Sequence, residues 1–252
     1  MSDMKIEDYL AQGGVLTSPG NAPPRYRAEL LRLMATFVDS ELAGAAGFAD
    51  IINQGPGIKE RIAAARIVLE KTDNADKVLK IMGDFGANTA KYANHHPWTD
   101  RLSRDADIGT SRTDRDMRLA VFNYPLDGWQ DAVVMNLLMG LAVGVQLGEF
   151  SRVSYAPLAD AFRAIASVEA HHAELAAEGL ARLAEDGTEL MQAQVNYWWP
   201  RVAASFGRDV SSRAVKLAEF GLRHSTNAEL REEWAAAAAA ALAALGLTAP
   251  KG

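Results

Sequence analysis

Residues 158–176 read LADAFRAIASVEAHHAELA, and the spacing of their apolar residues decides the fold class. The apolar positions recur every three or four residues, which is the period of one face of an α-helix. Glu169 and His172 continue that face at its middle. The stretch therefore predicts a long helix whose buried side carries a carboxylate and an imidazole. The predicted face consists of Leu158, Phe162, Ile165, Glu169, His172 and Ala176.

Two earlier segments have the same organisation. Residues 26–52 form a predicted helix whose apolar face contains Glu41 at its middle. Residues 58–85 form a second predicted helix, and its apolar face keeps the helical period only if Lys71 and Asn74 belong to it. A charged side chain inside an apolar face is costly unless a partner compensates it. These helices are therefore expected to contribute charges to a common interior.

A third long helix opens near Leu126, with Gly140 at the centre of its apolar face. Four such helices predict an all-α, ferritin-like four-helix bundle with additional C-terminal helices. We interpret all 252 residues as a single domain. Its parts outside the four helices are an extended N-terminal arm, a long crossover and a C-terminal helical region, at residues 1–24, 86–124 and 188–252.

Composition restricts the classes of function. The net charge of -6 comes from scattered residues, and without a dense Lys/Arg stripe nucleic acid is not an expected partner. The sequence has no cysteine, so any metal site must use Glu, Asp and His. It has neither an apolar N-terminal leader nor an uninterrupted apolar run of about 18 residues. We expect a cytoplasmic protein with no membrane segment.

The pair Glu169 and His172 has the spacing of a metal-binding motif. In di-iron bundles, two helices each contribute one carboxylate, and two others each contribute a Glu-x-x-His. Residues three apart in a helix lie on the same side of one turn, so both can reach one ion. The motif alone is not specific, because four residues with two specified recur in many helices.

Several short motifs, in order and with their spacing, resemble the phenylacetic acid catabolic protein family, and in particular the di-iron monooxygenase subunit of phenylacetyl-CoA epoxidases. The resemblance covers residues 25–250 and is weakest over 87–118. The motifs are Ser40-Glu41-Leu42-Ala43-Gly44, Phe122-Asn123-Tyr124-Pro125 with Trp129 and Asp131, Ser154-Tyr155-Ala156-Pro157, Trp198-Trp199-Pro200 with Phe206-Gly207, and Ser225-Thr226-Asn227-Ala228-Glu229-Leu230-Arg231.

The resemblance implies six metal-ligand positions, of which this chain keeps three. The kept residues are Glu41, Glu169 and His172, whereas the other positions fall on Lys71, Asn74 and Gly140. An alternative alignment, shifted by one residue in the second helix, would put Glu70 and Asp73 there instead.

Lys71 brings a positive charge to the place where the resemblance implies a metal ligand. We expect its ammonium group to stand in for iron between Glu41 and Glu169, with Asn74 and His172 completing a structural hydrogen-bond network. No metal and no other cofactor are then expected.

Three functions follow from these residues. The first is a non-catalytic structural or acyl-CoA-binding subunit, forming a homo-oligomer or pairing with a related family subunit. The second is an active aryl-CoA monooxygenase or epoxidase subunit with an altered or single-iron site at Glu41, Glu169 and His172. The third is iron storage or metal-independent binding of a small acyl ligand. The sequence does not identify the acyl group.

The remaining histidines and the tryptophans can be explained by structural roles. His95 and His96 are expected to be surface or loop-anchoring residues, and His224 lies near a helix end, where the helix dipole favours a cation. The aromatic pair Trp198 and Trp199 is consistent with either a partner surface or the core.

Overall fold

A computed structural model of the chain describes residues 5–92, 96–113, 116–185, 187–209 and 212–250. Over these ranges the structure is helical, with one isolated bridge between Leu16 and Tyr155 and no strand. The helices are α1 Ile6–Ala11, α2 Pro24–Ile51, α3 Ile58–Asp84, α4 Thr89–Tyr92, α5 Trp129–Phe150, α6 Ala156–Ala184, α7 Glu189–Ala203, α8 Ser212–Glu219 and α9 Asn227–Ala244.

Helices α2, α3, α5 and α6 form the bundle, which confirms the predicted ferritin-like all-α fold. The chain packs α2 along α3 and α5 along α6, and the two pairs meet mainly where α3 packs against α6. Proline residues at the first turn begin α2 and α6, where the missing backbone N–H costs no hydrogen bond. Residues 52–57 make the short connection between α2 and α3.

The N-terminal arm differs from the extended segment that the sequence predicted. It contains helix α1 and a 3-10 turn at Pro19–Asn21. Leu10 and Leu16 of this arm belong to the apolar core. The short helix was missed because its six residues are too few to establish a period.

The predicted crossover contains α4 and a 3-10 turn at Ala120–Asn123. Side chains of α2 hold it in place. The carboxylate of Asp39 accepts hydrogen bonds from the Tyr92 hydroxyl at 2.8 Å and the Met117 backbone N–H at 2.7 Å. The crossover therefore covers the middle of α2, next to Glu41.

The C-terminal helices α7 and α9 pack against α5. Helix α7 lies within the C-terminal region that the sequence predicted to be helical, and it continues through Pro200 to Ala203. Trp198 is fully buried, and the ring of Trp199 lies 4.6 Å from that of Trp234. Of the two interpretations of this pair, the core interpretation agrees with the structure.

The buried apolar side chains of the described residues form three clusters, and polar residues occupy the boundaries between them. On α3, Ile67 belongs to one cluster and Ala75 to another, and Lys71 and Asn74 lie between them. On α6, Glu169 likewise follows the last residue of one cluster. The polar interruptions seen in the sequence thus lie side by side inside the bundle.

Helix α5 is the one described helix with the length and hydropathy that a membrane crossing requires. About two-thirds of its most apolar window, 67%, is buried against the rest of the protein. The core helix of a bundle has the same composition, so this feature does not indicate a membrane span.

Candidate functional site

An ammonium group joins two carboxylates at the middle of the bundle. The Lys71 Nζ donates to Oε2 of Glu169 at 2.8 Å and to Oε1 of Glu41 at 3.2 Å. The three side chains come from α3, α6 and α2 and are only 7%, 1% and 3% exposed. Contacts from three helices thus converge on one buried cation. We call Lys71, Glu41 and Glu169 together the charge centre.

The aliphatic stem of Lys71 needs space beside α2, and Gly44 provides it. A Cβ at residue 44 would lie 3.6 Å from Cδ of Lys71 and 3.3 Å from the ring of Phe122. A Cβ here would therefore press on Phe122 and would only touch the lysine stem. The glycine of the motif that contains Glu41 thus lies directly against the lysine stem and the Phe122 ring.

A second set of polar groups surrounds Glu169. The Asn74 Nδ2 donates to Oε1 of Glu169 at 3.1 Å. The Nδ1 of His172 lies 3.3 Å from the same oxygen but has no aligned hydrogen bond. The other ring nitrogen, Nε2, lies 2.8 Å from Oε2 of Glu70. The charge centre is thus connected through His172 to a carboxylate nearer the surface.

Burial and charge act on the three groups in different directions. Burial and then the nearby Glu169 carboxylate raise the pKa of Glu41 to about 8, although Lys71 opposes this. Burial would raise the pKa of Glu169 too, but the Lys71 ammonium and His172 outweigh it and lower that pKa below its usual range. Burial lowers and the two carboxylates raise the pKa of Lys71, with a net increase. Lys71 is therefore charged, and Glu169 is its principal counterion.

Two buried polar atoms, one in the charge centre and one beside it, have no hydrogen-bond partner among the described residues. They are Oε2 of Glu41 and Nδ1 of His172. Buried polar atoms in proteins nearly always have a partner, so each of these needs an explanation.

Gly140 of α5 lies beside the charge centre but packs against α6. It lines a small cavity of about 30 Å³ together with Lys71 and Glu169. A Cβ at residue 140 would lie 3.1 Å from Cβ of Ala173, which is tighter than ordinary contact. The glycine therefore allows α5 and α6 to approach closely. This packing role does not depend on whether position 140 corresponds to a metal ligand in the family.

The two acids of the alternative alignment, Glu70 and Asp73, are less buried than Lys71 and Asn74. Asp73 is exposed on the outer side of α3, and Glu70 is 31% exposed. Glu70 nevertheless contacts His172. The structure thus puts Lys71 and Asn74 inside the bundle and leaves Glu70 at its edge.

Two histidines away from the charge centre have structural contacts. His96 stacks against both Tyr92 and Trp98, with ring centroids 4.4 and 5.6 Å away, and thus anchors its loop. The Nδ1 of His224 lies 3.0 Å from Oε1 of the buried Glu149. His95 lies outside the described residues.

Sequence reasoning did not identify the roles of two buried acids. Asp39 holds the crossover on α2. Asp131 accepts hydrogen bonds from the indole N–H of Trp198 at 2.8 Å and from Arg104 at 2.6 Å. The only sequence signal was the position of Asp131 within one of the short motifs. Its partners are distant in sequence, so no local pattern could reveal them.

Among the described residues, no group of three or more His, Asp and Glu side chains has an arrangement suited to a metal ion. At the charge centre, the Lys71 ammonium donates hydrogen bonds to both acids. This differs from the carboxylate-rich set of a di-iron bundle.

The bundle and its topology define a ferritin-like all-α protein. The family described as phenylacetic acid catabolic protein matches residues 14–252, and the chain belongs to this family. It is similar to one of the subunits of 1,2-phenylacetyl-CoA epoxidase from Escherichia coli strain K12, with 26% identity over 253 residues, covering 98% of this chain and 76% of that protein. The resemblance inferred from the motifs is thereby confirmed.

Proposed function

We propose that this protein is a cytoplasmic, non-catalytic member of its family, a structural or acyl-CoA-binding subunit that has lost the di-iron centre. The observation that carries the proposal is the position of Lys71, whose Nζ lies within hydrogen-bond distance of Glu41 and Glu169. An assembly with a second copy or with a related family subunit is part of the proposal.

The charge balance supports a centre without iron. Two ferrous ions require several carboxylates, because uncompensated ions are unstable in a low-dielectric interior. Of the six positions expected from the family, only Glu41 and Glu169 provide acids. Lys71 already supplies the positive charge that these acids need, and it would repel an entering cation.

Binding of an acyl group is supported by a cavity and by the relative. Glu41 lines a cavity of about 220 Å³ whose other walls are mainly apolar. The Escherichia coli relative is named for phenylacetyl-CoA. An apolar acyl group could therefore enter this cavity in a protein that performs no oxidation.

One specific observation favours a second candidate, an aryl-CoA monooxygenase or epoxidase subunit with an altered or single-iron site. Oε2 of Glu41 and Nδ1 of His172 lack hydrogen-bond partners among the described residues. A metal held by Glu41, Glu169 and His172 would use such atoms, because carboxylate and imidazole suit iron. Such a metal requires the Lys71 ammonium to move away or lose its proton.

Metal content and turnover separate the two candidates. Protein purified from iron-supplied cells is analysed for iron and is then mixed with phenylacetyl-CoA, oxygen and a reductant. We expect iron far below one atom per chain and no oxygen-dependent product. Stoichiometric iron together with an oxygenated thioester would overturn the proposal in favour of the second candidate.

A further inference from the structure

Helix α3 carries apolar residues on its outer face as well as on its inner face. Ile58, Ile62 and Leu69 are 77%, 55% and 62% exposed, and Ala65 between them is exposed too. The first three are among only seven large hydrophobic side chains that are exposed in the described part of the chain. A group of exposed apolar residues, unlike a single one, marks an interaction site. We call Ile58, Ile62, Ala65 and Leu69 the outer stripe.

The spacing of the outer stripe is that of a helix-packing seam. Its four residues follow one another at steps of four, three and four. This is the repeat by which one helix packs along another in a coiled coil. Contacts inside the bundle use the opposite face of α3, where Lys71 and Asn74 are buried. The outer stripe therefore fits a second helix that lies along α3 from outside the bundle.

The charges beside the outer stripe favour one orientation of that second helix. Lys59, Arg66 and Asp73 are exposed and seven residues apart, so they lie along one edge of the stripe, and Arg61 lies along the other. If a second α3 is antiparallel, equal edges meet, and Lys59 of one copy faces Asp73 of the other. If it is parallel, opposite edges meet, and Arg66 faces Arg61. Opposite charges attract and like charges exclude the wrong arrangement, so α3 is self-complementary in the antiparallel orientation.

We propose that the outer stripe pairs antiparallel with the outer stripe of a second copy of this chain. A two-fold axis uses the same surface on both copies, as this pairing requires. In this register Leu69 of each copy lies against the small side chain of Ala65 of the other. Arg66 lies next to the axis, where its exposed side chain extends into solvent. Asp76, beyond the stripe, is already paired with Lys80 at 2.6 Å.

The inference rests on the assembly part of the proposed function and deepens it. It adds the identity of the partner, the surface and the orientation of the two copies.

Sedimentation equilibrium of the full chain over a concentration series tests the surface. We expect a dimer. Leu69→Glu places a charge from each copy in the seam and should weaken the dimer at least about a hundredfold. The matched control is Leu190→Glu, which changes an exposed leucine on α7 outside the stripe and should leave the dimer unchanged. Both leucines are exposed in the single chain, so urea denaturation should show that both variants fold normally.

A charge exchange tests the orientation without touching the apolar residues. Lys59→Asp and Asp73→Lys each replace an attraction by a repulsion at two symmetric places. Each should weaken the dimer, by roughly two- to thirtyfold. The double variant restores opposite charges and should recover most of the affinity. This test remains decisive if Leu69→Glu fails to fold.

Cross-linking gives a second measure of orientation. The chain has no cysteine, so a single introduced cysteine reacts at a known place. Arg66→Cys lies next to the proposed axis, and a short bismaleimide should join the two copies. In the antiparallel pair, the two copies of Ile58→Cys are about 27 Å apart along the helices and should not be joined.

The inference is overturned if the unaltered protein is monomeric throughout the series, if Leu69→Glu leaves the dimer unchanged, or if Ile58→Cys cross-links as readily as Arg66→Cys. Iron analysis of the same samples distinguishes the two proposals. Metal-free protein without this dimer contradicts only the present inference, because the proposed function also allows a related family subunit as partner. Stoichiometric iron contradicts the proposed function, whatever the state of assembly.

Discussion

The Nζ of Lys71 and Oε2 of Glu169 lie 2.8 Å apart although 98 residues separate them in the sequence. The contact joins α3 to α6, and thus links the two helix pairs of the bundle. Both side chains are almost completely buried, so water does not screen their interaction. The charge centre is therefore expected to matter for stability as well as for the exclusion of metal.

Removing the ammonium should destabilise the fold. In Lys71→Ala, Glu169 remains buried without its counterion, and the expected loss in the free energy of unfolding is about 3 to 5 kcal/mol. Urea denaturation measures this loss. The matched control is Lys80→Ala on the same helix, whose ion pair with Asp76 is largely exposed and should contribute little. Equal stability of Lys71→Ala and the unaltered protein would contradict a buried structural network.

Removing the charges together should cost less than removing one. Lys71→Met combined with Glu169→Gln leaves no buried ion at the pair, and we expect the double variant to be more stable than Lys71→Met alone. A double-mutant cycle in urea gives the coupling energy between the two positions. Additive effects of the two substitutions would indicate that the side chains do not interact in solution.

Stability should fall as the pH rises from about 5 to 8. The pKa of Glu41 is raised from 4.5 to about 8, chiefly by burial, so in this range the folded protein holds a proton that the unfolded chain has released. Raising the pH through this range therefore favours unfolding. Glu169, whose pKa is lowered, acts only at acid pH, where its protonation also destabilises the fold.

Glu41→Gln isolates this effect because its amide does not titrate. We expect denaturation midpoints at pH 5.5, 7 and 8.5 to fall less steeply for Glu41→Gln than for the unaltered protein. Parallel profiles for the two proteins would show that Glu41 is ionised throughout.

Restoring the expected ligands should restore iron binding only if the helix packing permits it. The triple variant Lys71→Glu, Asn74→His and Gly140→Asp replaces the cation and adds two carboxylates and an imidazole. A side chain at residue 140 meets Ala173 at 3.1 Å, so addition of Ala173→Gly should increase iron uptake. Anaerobic titration with ferrous iron measures uptake. A folded quadruple variant that binds no iron would contradict the assigned ligand positions.

The buried Asp131 should stabilise the attachment of α7. Asp131→Ala leaves the Trp198 indole N–H and Arg104 without their acceptor, and we expect a loss of about 3 kcal/mol in the free energy of unfolding. The control is Asp160→Ala, an exposed acid on α6. An unchanged urea midpoint for Asp131→Ala would mean that other contacts hold α7.

The four bundle helices could be predicted because their apolar faces are long and regular. The burial of Lys71 and Asn74 could also be predicted, because the apolar face of α3 keeps the helical period only if they are included. The short helix α1 was missed because its six residues are too few to establish a period.

Contacts between helices that are distant in the sequence could not be predicted from these patterns. The pairing of Glu70 with His172 depends on how α3 and α6 are rotated against each other, and the sequence does not fix that rotation. The direction in which a side chain at Gly140 would point depends on the same packing.

Crystals of protein from iron-supplied cells, measured at the iron absorption edge, test the central claim most directly. We predict no anomalous peak within bonding distance of Glu41, Glu169 or His172, and electron density for Lys71 between the two carboxylates. An iron peak at these residues, or a Lys71 side chain that turns out to solvent, would contradict the account.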